Sequence, residues 1–314
     1  MDLFTHLVFG ALMYILCLKD VAYNYLLLAI IFSILPDLDI FLTPLKKIIK
    51  SNYLEHRGGS HSYIIGIIIS SIGGILYSLI TQQAFFIAWI ISMVFYSLHV
   101  SMDLLTTTKI PYLYPLSKRE YCFYAEKAGS FFTMLNSITF LILLGILFYS
   151  SANLFLFSLL INSYTYFFII YYLYRIISKS WFSSKLKNNQ KYLPGILPFY
   201  YTIYDHDIKD NEVSLALEKR SHFSNTIEIK NFNMILDSEE LFLFKKGIEL
   251  CKKDYYYAKW TLFPIFIKNQ DIFSIRFFFL ETMMSKRTMC IEFSFSKSTQ
   301  ELISFQRGSG RIQT

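Results

Sequence analysis

Long apolar stretches fill the first 180 residues and alternate with short polar ones. A membrane-spanning helix needs about 20 mostly apolar residues, and six stretches approach or reach that length: roughly 3–18, 21–36, 62–80, 84–105, 131–149 and 153–177. The first two are short enough to be tilted or re-entrant. The pattern predicts an α-helical integral membrane domain of about five or six helices over residues 1–180.

The pattern changes after residue 180. Thr226–Lys230 and Cys290–Ser296 alternate apolar with polar residues, which is typical of strands with one buried face. Tyr255–Lys268 and Asp271–Leu280 are aromatic, β-branched runs, and Ser238–Lys252 predicts a short helix. We expect a soluble β-rich (α+β) domain over residues 181–314, with a frayed end from residue 307 onward. Its role is not indicated by the pattern.

Composition and charge agree with this division. Of the 314 residues, 54% are apolar, and the formal net charge is +7. Residues 1–180 hold 11 Lys/Arg and 8 Asp/Glu, whereas residues 181–314 hold 19 and 15. Excess positive charge suits an anionic membrane surface. The basic residues form no clear stripe, so the bilayer is the expected partner and nucleic acid is not.

The basic residues also predict an orientation. Lysines and arginines concentrate in the loops at 46–50, 109–127 and 179–191, whereas the alternate loops hold only Lys19. Because cytoplasmic loops carry the excess of Lys and Arg, we expect a multi-pass cell-membrane protein whose termini and C-terminal domain are cytoplasmic.

Seven histidines and aspartates fall at the ends of the apolar segments on this same basic side. Imidazoles and carboxylates are costly in hydrocarbon, so such a set is a candidate functional site. Their shared side predicts one metal site built from His6, Asp37, Asp39, His56, His61, His99 and Asp103.

Local spacing supports this site. His99 and Asp103 are four residues apart on a predicted helix and therefore share a face. Pro36 is expected to end its helix, leaving Asp37 and Asp39 in an extended turn that points both carboxylates the same way. The glycines between His56 and His61 allow a sharp turn. Three or more nitrogen and oxygen ligands with an open position are typical of a catalytic metal site.

These motifs carry a family resemblance. Thr5-His6, the run Leu35–Asp39, the element His56–Ser62 and the helix end His99–Asp103 resemble the membrane-bound metal-dependent hydrolase family typified by the inner-membrane protein YdjM. The resemblance covers about residues 1–150, and Ser60 stands where that family usually has threonine. The family is similar in ligand order to zinc-dependent phospholipase C and the single-strand-specific zinc nucleases, which implies zinc and phosphoester hydrolysis by analogy.

We therefore interpret the chain as a membrane-bound hydrolase with one or two zinc ions, acting on an ester or phosphoester, including a lipid-borne one, at the cytoplasmic face. The expected metal ligands are His56, His61, His99 and Asp103, with His6 and Asp37 in a second site or the outer shell. Asp39 is the expected general base or bridging ligand. Arg57 is expected to neutralise developing negative charge. The alternatives are a non-catalytic membrane protein that binds or moves a metal, and a scaffold whose C-terminal domain binds a protein.

Overall fold

The computed structural model describes residues 1–18, 23–45, 54, 56–150, 153–209, 211–224, 228–253, 255–268, 271–283 and 287–312. The chain forms two compact units, Met1–Ile177 and Ser178–Thr314.

The first unit is helical. Its elements are α1 (Leu3–Leu18), α2 (Leu26–Ile34), a 3₁₀ segment (Leu35–Leu45), α3 (Tyr63–Thr81), α4 (Phe85–Leu104), α5 (Phe131–Tyr149) and α6 (Leu154–Ser183). Within the described residues, five helical stretches are long and apolar enough to cross a membrane: Tyr23–Phe41, α3, α4, α5 and α6. Helix α1 is apolar but shorter. The predicted helical membrane part is therefore confirmed.

Small residues let α3 and α4 pack closely. A Cβ added to Gly74 would lie 3.0 Å from the Cα of Trp89, closer than most Cβ contacts, so a larger residue there would push the two backbones apart. Close approach through small residues is a common basis of helix association in lipid, because burying apolar surface there gains little free energy. Farther along the pair, the Tyr96 hydroxyl donates to the carbonyl oxygen of Ser60. This contact fixes the turn before α3 against α4.

The segment after α2 departs from the sequence expectation. Residues Leu35–Leu45 form a 3₁₀ helix instead of an extended turn. Pro36 lies in the first turn of this segment, where a missing backbone N–H is tolerated. Three residues complete one 3₁₀ turn, so positions two apart point in different directions. The expectation that Asp37 and Asp39 face the same way was therefore wrong.

A buried ion pair joins the loop after α4 to α6. Nε of Arg175 lies 3.0 Å from Oε2 of Glu126, and Nη2 donates to Oε1 at 3.1 Å. The Tyr171 hydroxyl and the backbone N–H of Lys127 also donate to this carboxylate. Both charged side chains are at most 1% exposed. Such a pair is held by its additional hydrogen bonds, which offset the cost of removing two charges from water.

The second unit is built from two antiparallel four-stranded sheets. Their strand orders are β1-β2-β3-β4 and β5-β6-β7-β8. The strands are Gln190–Pro194, Tyr200–Lys209, Glu212–Ser221, Glu228–Ile235, Leu262–Lys268, Ile272–Phe279, Arg287–Ser296 and Leu302–Arg311. Helices α7 (Ser238–Lys253) and α8 (Tyr255–Ala258) precede the second sheet.

This unit confirms the β-rich prediction with three differences in detail. The run from Tyr255 begins as the helical turn α8, and its strand starts only at Leu262. Strand β8 extends through Arg311, which pairs with Arg287, so the expected fraying from residue 307 was wrong. The predicted strand at Thr226–Lys230 begins outside the described residues, and β4 runs from Glu228.

Candidate metal centre

Four side chains converge where the helices of the first unit end. The 3₁₀ segment supplies Asp37, the turn before α3 supplies His61, and the last turns of α4 supply His99 and Asp103. One nitrogen or oxygen from each lies within 4.8 Å of all the others. We call these residues the four-residue cluster. The side chains of His61, His99 and Asp103 are fully buried, and that of Asp37 is 9% exposed.

The separations within the cluster match those of metal ligands. Nε2 of His61 lies 3.2 Å from Oδ2 of Asp103, 3.4 Å from Oδ1 of Asp37 and 3.3 Å from Nε2 of His99. Nε2 of His99 lies 3.6 Å from Oδ1 of Asp37 and 4.0 Å from Oδ2 of Asp103. Tetrahedral zinc with bonds of 2.0–2.1 Å places its ligand atoms about 3.3 Å apart. Five of the six ligand pairs therefore lie within about 1 Å of that spacing.

Hydrogen bonds fix which nitrogen of His99 faces the cluster. Nδ1 lies 2.7 Å from the backbone carbonyl oxygen of Ser33. A carbonyl oxygen can only accept, so Nδ1 carries the proton and Nε2 presents its lone pair. Metal-binding histidines generally use this arrangement, because the outer hydrogen bond holds the ring in orientation.

The corresponding outer partner of His61 is Asp39. Nδ1 of His61 lies 3.3 Å from Oδ2 of Asp39, and the Ser60 hydroxyl also contacts this carboxylate oxygen. The backbone N–H of Arg57 donates to the same oxygen at 3.0 Å. A carboxylate that receives the Nδ1 proton again leaves Nε2 as an acceptor. Both histidines therefore turn lone pairs toward the carboxylates.

Four acceptor atoms thus face one another in a buried space. Oδ1 of Asp37 and Oδ2 of Asp103 are buried and accept no hydrogen bond from the described residues, although Nε of Arg57 forms an ion pair with Oδ2 of Asp103. Such atoms are costly to bury without a partner. A divalent cation would satisfy all four at once, so the residues present fit a metal ion.

The other residues predicted for the site surround this cluster. His6 stacks on His99 with ring centroids 3.7 Å apart, and its Nε2 lies 3.3 Å from Oδ1 of Asp103. His56 contacts Asp39 through Nδ1 at 2.6 Å, and its side chain is 42% exposed. The structure therefore brings Asp37 into the cluster and places His56 behind Asp39, which reverses the positions expected for these two residues.

Arg57 is enclosed by the protein. Nη1 donates to the Thr108 hydroxyl at 2.7 Å, Nη2 donates to the Met1 carbonyl oxygen at 2.6 Å, and Nε lies 3.1 Å from Oδ2 of Asp103. The α-amino group of Met1 also contacts the carboxylate of Asp103. Arg57 has a left-handed backbone (φ 61°), a strained conformation for a non-glycine residue. Its guanidinium therefore lies where it can position Asp103.

Sequence reasoning missed two of these partners. Ser33 contributes only its backbone carbonyl, which has no sequence signal. Thr108 follows α4 in a run of three buried threonines, Thr106–Thr108. Such a polar run directly after a membrane helix is a signal that could have pointed to the site.

Residues 1–182 match the family described as YdjM inner membrane protein. The chain belongs to this family. The match spans more than half of the 314 residues and contains every residue of the four-residue cluster. Together with the five apolar helices, membership of the YdjM family supports a membrane protein. No curated protein and no solved structure matches the chain.

Proposed function

We propose that this YdjM-family protein is a membrane-bound hydrolase that depends on a divalent metal ion, in keeping with zinc as the metal. The observation that carries the proposal is the convergence of four acceptor atoms from Asp37, His61, His99 and Asp103. Histidine nitrogen and carboxylate oxygen are typical zinc ligands. A divalent metal ion would supply Lewis-acid chemistry, lowering the pKa of a water molecule and polarising an ester or phosphoester.

The surrounding residues would prepare the cluster for this role. The Asp39 carboxylate lies 3.3 Å from Nδ1 of His61, and the Ser33 carbonyl accepts the Nδ1 proton of His99, so each contact would orient a histidine with its Nε2 lone pair toward the cluster. This placement favours Asp39 as a positioning residue over the general base expected from sequence. Arg57 would hold Asp103 and offset its charge. Charge stabilisation at the reacting group remains an additional role to test for Arg57.

The position of the cluster supports a substrate at the membrane surface. The cluster lies at the start of α3 and the end of α4, next to loops that carry Lys109, Lys118 and Lys127. By the positive-inside rule these loops would face the cytoplasm. We therefore place the site and the C-terminal domain on the cytoplasmic side and propose an ester or phosphoester substrate.

Burial favours a second candidate function. Three cluster side chains are fully buried, which suits a closed metal site that stabilises the fold without catalysis. An open coordination position distinguishes the two functions. Cobalt(II) substituted into the purified protein would report an open position. Added inorganic phosphate should change the visible spectrum of cobalt in an open site and leave that of cobalt in a closed site unchanged.

The direct test is hydrolysis by the full-length protein in lipid nanodiscs loaded with zinc. The substrates would be bis(p-nitrophenyl) phosphate and p-nitrophenyl acetate, and the variants His61→Ala and His99→Ala. The matched control is His206→Ala, since His206 is an exposed histidine of the second unit. Activity that is lost in both cluster variants and kept in the control supports the proposal. Activity that is unchanged by the cluster variants would overturn it.

A further inference from the structure

An apolar groove runs between α1 and α4. Its volume is about 360 Å³, and its described lining is apolar throughout. Helix α1 contributes Met13 and Cys17, and α4 contributes Ile87, Val94 and Leu98. Val94 is 47% exposed and Ile87 38%, so the groove opens on the outer surface of this helical unit. In a membrane that surface faces lipid.

The groove extends along α1 and α4 in the direction of the four-residue cluster. His6, Met13 and Cys17 are seven and four residues apart, so they lie on one face of α1. On α4, the groove residue Phe95 lies one turn before His99. His6 and His99 stack on each other beside Asp103. The described groove lining ends before the metal centre on both walls, at Met13, seven residues from His6 on α1, and at Leu98, next to His99 on α4.

The dimensions match a lipid chain. From Ile87 to Leu98 the groove follows twelve residues of α4, which rise about 16 Å along the helix axis. The hydrocarbon core of a bilayer is about 30 Å thick, so this length reaches about halfway across. The metal centre lies at the helix ends, where a lipid headgroup would be. A chain lying in the groove would thus extend from that surface into the core of the bilayer.

We propose that this groove holds a hydrocarbon chain of the substrate, and that the substrate class is a lipid phosphoester whose phosphate lies at the metal centre. The proposal rests on the hydrolase function above. In the reaction, water adds to phosphorus, one P–O bond breaks, and the leaving oxygen takes a proton. Because the surrounding lipid is as apolar as the groove, the groove selects by shape and position and gains little from burial itself.

Filling the groove tests the inference. The substrates are dodecyl p-nitrophenyl phosphate and ethyl p-nitrophenyl phosphate, presented to the zinc-loaded protein in nanodiscs. We expect Val94→Trp to lower kcat/KM for the dodecyl diester roughly 10-fold, the size of effect that one misfitting group has in an apolar pocket. The ethyl diester should be unaffected. Partition of the dodecyl chain into the bilayer is common to all variants and cancels in the comparison.

Two further variants protect this test. Ile75→Trp is the matched control, because Ile75 is 48% exposed on α3 and lies outside the groove lining. It should leave both diesters unchanged. Cys17→Phe obstructs the other wall and serves if Val94→Trp does not fold. Hydrolysis of both diesters that Val94→Trp and Cys17→Phe leave unchanged, or slow equally, would overturn the groove inference while the hydrolase proposal stands.

A binding measurement separates the two proposals. Phosphatidylglycerol with a diazirine midway along one acyl chain would be cross-linked to the protein in nanodiscs, and the labelled peptides mapped by mass spectrometry. We expect several-fold enrichment on the groove residues of α1 and α4 over α3, lost in Val94→Trp and kept in Ile75→Trp. Even labelling of all exposed helices would mean surrounding lipid only and would overturn the groove. Enrichment without hydrolysis of either diester would support the chain site and count against the hydrolase.

Discussion

Nε2 of His61 lies 3.3 Å from Nε2 of His99, while Nδ1 of each ring contacts an oxygen elsewhere, that of Asp39 for His61 and the Ser33 carbonyl for His99. Two lone pairs at this distance repel each other unless a cation lies between them. The same two nitrogens face carboxylate oxygens of Asp37 and Asp103. This relationship explains why the cluster fits a metal better than a hydrogen-bonded core.

Loss of a cluster residue should remove the metal. In Asp37→Asn the carboxylate becomes a weaker, neutral ligand, and in His99→Ala one of the four metal ligands is absent. We expect both purified variants to lose most of the metal that the wild type binds, measured by elemental analysis after dialysis against a weak chelator. His206→Ala should bind as much as the wild type. Full occupancy in His99→Ala would exclude His99 as a ligand.

Asp39 should act through His61 without binding the metal itself. Asp39→Asn weakens the acceptor for Nδ1 of His61, and changes to such outer partners typically cost about 10–100-fold in metal affinity. We therefore expect a metal titration of Asp39→Asn to show weaker binding with unchanged stoichiometry. A reduced number of bound ions would instead make Asp39 a ligand, as sequence allowed.

The planar fork of Arg57 should matter beyond its charge. Arg57→Lys keeps the positive charge but cannot contact Asp103, Thr108 and the Met1 carbonyl together. We expect the variant to retain the metal and lose roughly 10²-fold in hydrolysis, a typical cost of one misplaced charge-stabilising donor. Thr108→Val removes only one of these partners and should cost about 1 kcal/mol of stability. Full activity in Arg57→Lys would show that charge alone suffices.

The orientation of the chain is open to a labelling experiment. Gln82 lies between α3 and α4 with an exposed side chain, at the opposite end of these helices from the cluster. In a cysteine-free background, Gln82→Cys should react with an impermeant maleimide added to intact cells, and a reporter fused after Thr314 should read as cytoplasmic. Reaction only after the membrane is opened would place the metal centre outside.

The Glu126–Arg175 pair should be sensitive to the loss of one partner. Arg175→Leu leaves the Glu126 carboxylate buried without its cation, which typically costs about 3–5 kcal/mol. Replacing both residues with leucine should recover much of that loss, because no charge then stays buried. The partly exposed pair of Arg220 and Glu218 is the control, and Arg220→Leu should cost about 1 kcal/mol or less. Unfolding in detergent would measure all three.

Helical spacing carried most of what sequence could predict about the site. His99 and Asp103 are four apart on α4, and a straight helix translates that spacing directly into a shared face. The same reasoning failed for Asp37 and Asp39, since a 3₁₀ segment and an extended turn place residues two apart quite differently. The role of Ser33 was out of reach, because any residue offers the same carbonyl.

The second unit shows the same limits in its strands. Val213, Leu215 and Leu217 are buried and alternate with less buried residues along β3, so the period-two pattern was present in the sequence but not recognised. Strand β8 carries no such pattern, since most of its residues are exposed. Its place comes from backbone pairing with β7, which requires no particular side chains.

All four candidate metal ligands lie between residues 37 and 103. A ribosome therefore delivers the complete set before it synthesises the C-terminal unit, which begins at Ser178. The metal can therefore bind while the helices insert into the membrane, before the C-terminal unit is synthesised. A nascent chain arrested after α5 should already retain the ion.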